Sequence, residues 1–556
     1  MRCGLVLFLA ALLALTNLGA TAGARLEAPQ PPGAARLATT PINYVIIVIM
    51  ENYAFDTLFG RFPGANGVRL RLTSDPFPFD PNHSGSRTRS LVNGGRMDQF
   101  PLRHAVQYQE SDIPNYWRYA QEFGLADNFF ATLPTSSTPN HLAFIDAAGG
   151  DLDATANVSC LQPKNSLLLA REPNDEQQYW TNPCFDMVTL PHLLQDRGLT
   201  WRYYTASIGW NAPGLIEDLA DSPNNVNDPN RFFVDLQAGQ LANVTWITPH
   251  WLSQSDHPPR SITTGENFVV DVVNAVMQSP YWNESAIFVT WDDPGGFYDH
   301  VAPPQGGPVE YGLRVPLLVI SPYAKRGYLS HQFGEFSSLV KFIEANWGLP
   351  SLGRRDALAA TSDLRDFFDF SQAPRPPLVL PKRPDQLTLR LVPTGAIDKE
   401  VGGPGTTFTY RVAWGGATLP TRAEVVIDGT HFPMRRGPTV GDYTIYEFRT
   451  TLPPGKHSFR YRFDDGTRTY RLPRGVEPMP GPEVFPFNVA QRTIAPLSGL
   501  PGEPVTFSAV YQSDEGKPPV VAEVRIDNTT YPLQPVGPID YRRGVTYRYT
   551  ASSLAV

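Results

Sequence analysis

Four short stretches hold residues whose types and spacing could do chemistry. In "YVIIVIMEN" an apolar run from Tyr44 to Met50 stops abruptly at Glu51 and Asn52. In "AIFVTWDDPGGFYDH" a second such run ends in Asp292 and Asp293, and Pro-Gly-Gly then lets the backbone approach closely. Two adjacent carboxylates repel each other unless a cation sits beside them. "LPTSSTPNH" offers consecutive hydroxyls, Thr135 to Thr138, before Pro139, a residue suited to the first turn of a helix. A hydroxyl there sits where backbone N–H groups and the dipole favour an anion. "SQSDHPPR" sets His257 between Asp256 and two prolines. Each stretch also has a plainer reading: an N-cap by Asn52 with Glu51 in solvent, an N-cap by Thr138 or Ser137, a solvated turn at 292–293, and a structural histidine at 257.

The elements that must position these residues can be read from the apolar pattern. Runs without alternation, such as "YVIIVIM", "VTWITP", "AIFVTWDD" and "VPLLVISP", suit strands covered on both faces. With "LADNFFAT" and "LTWRYYTA", they alternate with helical patterns such as "ENFVVDVVNAVMQS" and "FSSLVKFIEANW". The expectation is a largely parallel sheet with helices on both faces over residues 41–370. Parallel strands put their carboxyl ends on one edge, which is where ligands gather in such sheets. Glu51-Asn52 and Asp292-Asp293 therefore belong together.

A proline-rich linker is expected at 371–386, after which the texture becomes alternating and hairpin-like. "AEVVIDGTHFPM" from Ala423 recurs as "AEVRIDNTTYPL" from Ala522, 99 residues later. That period suggests tandem immunoglobulin-like β-sandwich modules at 387–480 and 486–556. The second copy reaches Val556 before any equivalent of "HSFRYRFDDG", so it is expected to be truncated or completed in another way.

Composition narrows the classes. The 556 residues imply two or three domains, and a net charge of -8 argues against a nucleic-acid partner. At the N-terminus one Arg precedes the apolar stretch Leu5–Leu15 and then small residues, the pattern of a signal peptide over 1–24. Export, to the periplasm or outside the cell, is the expectation, with no membrane span left after cleavage. Cys160 and Cys184 are then the only cysteines of the mature chain, and a disulfide is the simplest outcome in an oxidising compartment.

"IMENYAFDTLFG", "PTSSTPNH", "SDHPP" and "TWDDPGGFYDHVAPP", in that order, resemble the bacterial phospholipase C and acid phosphatase phosphoesterase family, whose plant members are the non-specific phospholipases C. The resemblance covers residues 42 to about 350 and implies an alkaline-phosphatase-like α/β fold. It implies that Glu51, Asn52, Asp292 and Asp293 bind a metal, that Ser137 is the nucleophile and a further ligand, and that His257 contacts the phosphoryl group. His104 falls where relatives carry another active-site histidine, and Asn140 and His300 are expected to support the site or touch phosphate. Two departures stand out: His141 where Arg is usual, and Asp293-Pro294 where "Glu-His" or "Glu-Gly" is commoner.

An oxygen-rich set of this kind suits Ca²⁺, Mg²⁺ or Mn²⁺. The ion would lower the Ser137 pKa and offset phosphoryl charge. The function implied is an exported metal-dependent phosphoesterase acting on phospholipid head groups or another phosphoester, with phosphomonoester hydrolysis as the alternative. An inactive exported adhesion protein is a third reading, and the β-modules leave room for contact with a surface or glycan.

Overall fold

The computed structural model describes residues 38–551 apart from 74, 154, 156, 162–167, 172–177, 252, 306–309, 384–388, 393–395, 416–417, 441–442, 474–477, 496–503 and 527–528. The expected signal peptide and the last residues of the expected linker lie outside the described residues.

An eight-stranded sheet forms the centre of the first part of the chain. Its strands are β1 (Tyr44–Met50), β2 (Gly124–Ala126), β3 (Trp201–Tyr204), β4 (Asn225–Val226), β5 (Val244–Ile247), β6 (Ser285–Trp291), β7 (Leu317–Ile320) and β8 (Tyr328–Ser330). Their spatial order is β8-β2-β7-β6-β1-β5-β3-β4. Valine and isoleucine fill β1 because both of its faces are covered; Val45 to Met50 have no exposed surface.

Five of the seven pairings are parallel, as expected. The exception is β7, antiparallel to both β6 and β2. The chain between β6 and β7 forms no helix among the described residues, so it returns in reverse instead of crossing over. "LADNFFAT" also divides: β2 joins the main sheet, whereas Phe129–Phe130 pairs with Gly334–Glu335 in a separate ribbon.

The longest helices among the described residues are α1 (Pro114–Glu122), α2 (Ser137–Asp146), α3 (Ile262–Met277) and α4 (Phe336–Trp347). Ser261 caps α3 by accepting from the Thr263 amide. Glu335 and Ser338 form a reciprocal box at the start of α4, and Gly348 ends it in the left-handed region at φ 61°.

The proline-rich stretch is docked along α3. Asn274 and Asn267, two turns apart, each donate to and accept from its backbone, at Leu380 (2.8 and 3.0 Å) and Arg383 (2.8 and 2.8 Å). A side-chain amide carries both donor and acceptor groups, so it can pair with an extended segment as a strand would.

Beyond it the first module is two sheets around one core. One contains Thr407–Trp414 and Tyr443–Thr451; the other contains Val401–Gly402, Arg422–Ile427, Gly455–Asp464 and Met479–Val484. Tyr410, Val412 and Trp414 from the first meet Val425, Phe459, Tyr461 and Phe463 from the second. Met479–Val484 pairs within this module, past the boundary expected at 480. The repeat is visible in register: Glu424 pairs Pro433, and Glu523 pairs Pro532. The second module shows a four-stranded sheet and this hairpin among its described residues.

Candidate active site

The register of β1 against β6 builds the centre. Met50 lies opposite Trp291, so Glu51 and Asn52 leave one strand beside Asp292 and Asp293 leaving the next. The Asp292 amide donates to the Met50 carbonyl (3.0 Å), and the Asn52 amide donates to Asp292 Oδ1 (3.2 Å). All four residues are fully buried. Asn52 takes φ +62°, which asparagine tolerates better than most residues. Gly295 lies against it: a Cβ there would sit 2.5 Å from the Asn52 carbonyl oxygen.

The first turn of α2 brings the hydroxyl. The helix begins at Ser137 with Ser136 before it, and Thr138 is turned away to donate to the Gly209 carbonyl (2.8 Å). Thr138 is thus not the cap that its place before Pro139 suggests. Ser137 Oγ donates to Glu51 Oε2 at 3.3 Å. Asn140 ties the preceding loop together: it accepts from the Leu133 amide (3.0 Å) and donates to the carbonyls of Leu133 (3.2 Å) and Thr135 (2.9 Å). Its described partners are backbone groups, so it supports the site from behind Ser137.

One turn further along α2, His141 faces the same carboxylates. Its Nε2 is 2.9 Å from Glu51 Oε1 and 3.7 Å from Asp292 Oδ2. The Tyr203 hydroxyl spends its one proton on the Trp210 carbonyl (2.9 Å). His141 Nδ1, 3.1 Å from that hydroxyl oxygen, must therefore carry the proton between them. Nε2 is left with its lone pair toward the carboxylates.

Negative charge is in excess here. Burial, with Asp292 and Asp293 alongside, pushes the Glu51 carboxyl well above the ordinary range. Burial and Asp293 do the same to Asp292, and burial takes Asp293 to about 6. Burial pushes His141 down to about 3, so it does not neutralise them. His83 is different: burial works against its charge, but Asp293 and Asp80 outweigh that and hold it up at about 9.

Among the described residues no Lys or Arg pairs with Glu51, Asp292 or Asp293; the imidazoles beside them are His83 and the neutral His141. Asn52 Oδ1, Asp292 Oδ2 and Asp293 Oδ2 are buried without a hydrogen-bond partner. Orphaned acceptors with uncompensated charge fit a divalent cation, and Glu51, His141 and Asp292 could share one.

A chain of imidazoles and amides fixes Asn52. His257 Nδ1 donates to the Pro258 carbonyl (2.7 Å), leaving Nε2 to accept from Asn52 Nδ2 (2.9 Å). Asn52 Nδ2 also reaches Asp80 Oδ1 (3.1 Å). With its nitrogen so engaged, the Asn52 oxygen is the atom left for a cation. His257 thus orients the Asn52 amide, and burial lowers the His257 pKa.

A cavity of about 1030 Å³ opens above Ser137, lined among others by Asp80, His83, Arg103, His104, Trp210, Trp251, His257 and Glu400. His104 sits in this wall, its Nε2 3.4 Å from Glu400 Oε2. His300 does not line it: its Nδ1 is bound to Asp56 Oδ2 (2.6 Å) and its Nε2 to Asn66 (3.3 Å). Asp56 and Asp299 already share the buried Arg314, so this second acidic group has its cation.

Sequence reasoning missed His83, Asp80 and the position of His141 against Glu51 and Asp292. "Asp80-Pro-Asn-His83" carried a usable signal, as did the four-residue spacing of Ser137 and His141, which puts both on one helix face.

Comparison with known proteins bears on this geometry. A family model described as the Phosphoesterase family matches residues 42–350, more than half of the chain. Phospholipase C B of Mycobacterium tuberculosis (strain CDC 1551 / Oshkosh) is 26% identical over 472 residues, which span 66% of this chain and 86% of that protein. Non-specific phospholipase C1 of Arabidopsis thaliana is 26% identical over 432 residues, 64% of this chain and 76% of that one. Among solved structures, a protein in the alkaline phosphatase superfamily from Vibrio parahaemolyticus overlaps 57% of this chain and 71% of its own, with TM-score 0.29 and 10% identity. That overlap is too slight to bear on the chemistry.

Proposed function

The chain belongs to the phosphoesterase family, hydrolases of phosphoester bonds, and from that premise we propose an exported, metal-dependent enzyme of phospholipase C type with Ser137 as its nucleophile. The observation that carries the reading is the Ser137 hydroxyl at the start of α2, 3.3 Å from buried Glu51 and beside carboxylates that have no balancing Lys or Arg among the described residues. The relatives are named phospholipases C, so the phosphomonoester alternative is not favoured. The signal-like N-terminus and the Cys160–Cys184 bond support export.

In this reading Ser137 Oγ attacks phosphorus, and its proton passes to Glu51 Oε2, the acceptor it already faces. The bond from phosphorus to the glycerol oxygen breaks. His83, in the cavity wall with its Nε2 3.7 Å from Asp293, is the group placed to supply the proton to that leaving oxygen. Water then releases the phosphorylated head group and restores Ser137. A divalent cation held by Glu51, Asn52, His141, Asp292 and Asp293 would lower the Ser137 pKa and offset phosphoryl charge. Trp210 and Trp251 line the cavity with Asp80, and aromatic faces near a carboxylate suit a quaternary ammonium head group.

The test is a panel of a choline phosphodiester, an uncharged phosphodiester and a phosphomonoester, with and without chelator. Hydrolysis should be fastest on the choline diester and stop on chelation. Preference for the monoester, or full activity after exhaustive chelation, would contradict the reading.

A further inference from the structure

We infer that Glu400, in the first sandwich module, is a positioning residue of the catalytic cavity: it holds Arg103 and His104 in the wall against which the substrate's head group rests, beyond the reacting phosphorus. The inference builds on the phosphoester reading of that cavity.

Arg103 and His104 close a short 3-10 turn, Leu102–His104, and both line the cavity together with Glu400 and Val401. Arg103 Nη2 is 3.1 Å from Glu400 Oε2, and its Nη1 donates to the Glu400 carbonyl oxygen at 3.3 Å. His104 Nε2 shares the same carboxylate at 3.4 Å. Glu483 stands 3.9 Å from Arg103 Nη1, and its amide donates to the Glu400 carbonyl at 2.9 Å.

Glu400 is itself fixed. The next residue begins Val401–Gly402, which pairs in parallel with Met479–Val484. A second backbone bond, from the Ala396 amide to the Pro78 carbonyl at 3.1 Å, ties the module to the loop that carries Asp80 and His83. The module is therefore built into the cavity wall, not appended beyond it.

This wall has a consistent chemistry. A guanidinium is a rigid fork that loses little freedom once its acceptors are in place. Here one carboxylate and one carbonyl of the same residue hold it. The arrangement leaves His104 Nδ1 buried without a partner among the described residues. Arg103 and His104 have no contact with Glu51, Asp292 or Asp293 among the described ion pairs and hydrogen bonds, so they would touch a part of the substrate away from the reacting bond. Interactions of that kind are made equally before and in the transition state, and they act on KM.

The experiment uses the full chain and the variants Glu400→Ala, Glu400→Asp and Glu483→Gln, with thermal melts to establish folding. On a choline phosphodiester, Glu400→Ala should raise KM by about 10-fold with kcat within about 3-fold. Glu400→Asp, which keeps the charge, should recover most of that loss, and Glu483→Gln, which removes the more distant carboxylate at 3.9 Å, should raise KM less than Glu400→Ala does. Calorimetric titration with phosphocholine should show the same weakening in Glu400→Ala, and this arm does not depend on turnover. Wild-type KM and phosphocholine affinity in a folded Glu400→Ala, or no recovery in Glu400→Asp, would overturn the inference while leaving the catalytic reading intact. An inactive wild type would sink that reading, and the calorimetric arm would still decide the role of Glu400.

Discussion

At the scale of single residues, the site depends on buried carboxylates with too little positive charge around them. Asp292→Asn keeps the shape but removes a ligand charge, so bound metal should fall from about one ion per chain to a small fraction and hydrolysis should fall with it. Elemental analysis of the purified variant checks this, and a full complement of metal would count against the ligand assignment. His141 changes the metal expected. An imidazole nitrogen beside Glu51 and Asp292 turns an oxygen set into a mixed one, which favours Zn²⁺, Mn²⁺ or Fe²⁺ over Ca²⁺. Competition between Zn²⁺ and Mg²⁺ should therefore shift toward Mg²⁺ in His141→Gln; an unchanged ratio would remove His141 from the ligand set. Glu51, Asn52, Asp292 and Asp293 were legible because a polar pair after a long apolar run is conspicuous. His83 was not, because its importance comes from Asp293, which is 210 positions away in the chain.

At the scale of elements, the strands were readable and their directions were not. Residue type reports burial of β7 on both faces, but nothing in "VPLLVISP" says that it runs backwards. The start of α2 lies earlier than either expected cap, Thr138 or Ser137, for a similar reason: Ser136 precedes the helix, and Thr138 is drawn off by the Gly209 carbonyl, a partner that only the fold supplies. The elements also carry a pH dependence. Burial and nearby Asp356 raise the Glu344 carboxyl of α4 from 4.5 to about 8. A carboxyl raised in the folded state stabilises it fully below the unfolded value and loses that contribution as pH rises through the folded value. Stability from this group is thus present near pH 4.5 and fades toward pH 8. Glu344→Gln, neutral throughout, should gain on wild type by about 1 kcal/mol or more between roughly pH 5 and pH 8.5. Urea melts at both values measure it, and parallel curves would show that Glu344 is not held protonated.

At the scale of the whole molecule, the sandwich repeat was visible in sequence as a period, and the structure reproduces it as matching hairpin registers. What the period could not convey is that the first module touches the cavity through Glu400, since that contact joins residues 296 positions apart. The proline-rich stretch likewise reads as a spacer until Asn267 and Asn274 are seen to bind its backbone. A chain ending just after Val484 keeps Met479–Val484 and so keeps Glu400 in place. It should retain kcat/KM within about 3-fold of the full chain, whereas ending at 383 should cost at least about 10-fold. Equal activity in both truncations would mean that the module is dispensable for the cavity.

The nucleophile is the central claim, and trapping the covalent intermediate tests it most directly. A phosphodiester labelled on phosphorus, mixed rapidly with enzyme and quenched in acid, should leave its label on the peptide containing Ser137, and Ser137→Ala should abolish both label and turnover while keeping fold and metal. Label on Thr135, Ser136 or a histidine, or turnover by Ser137→Ala near the wild-type rate, would contradict it.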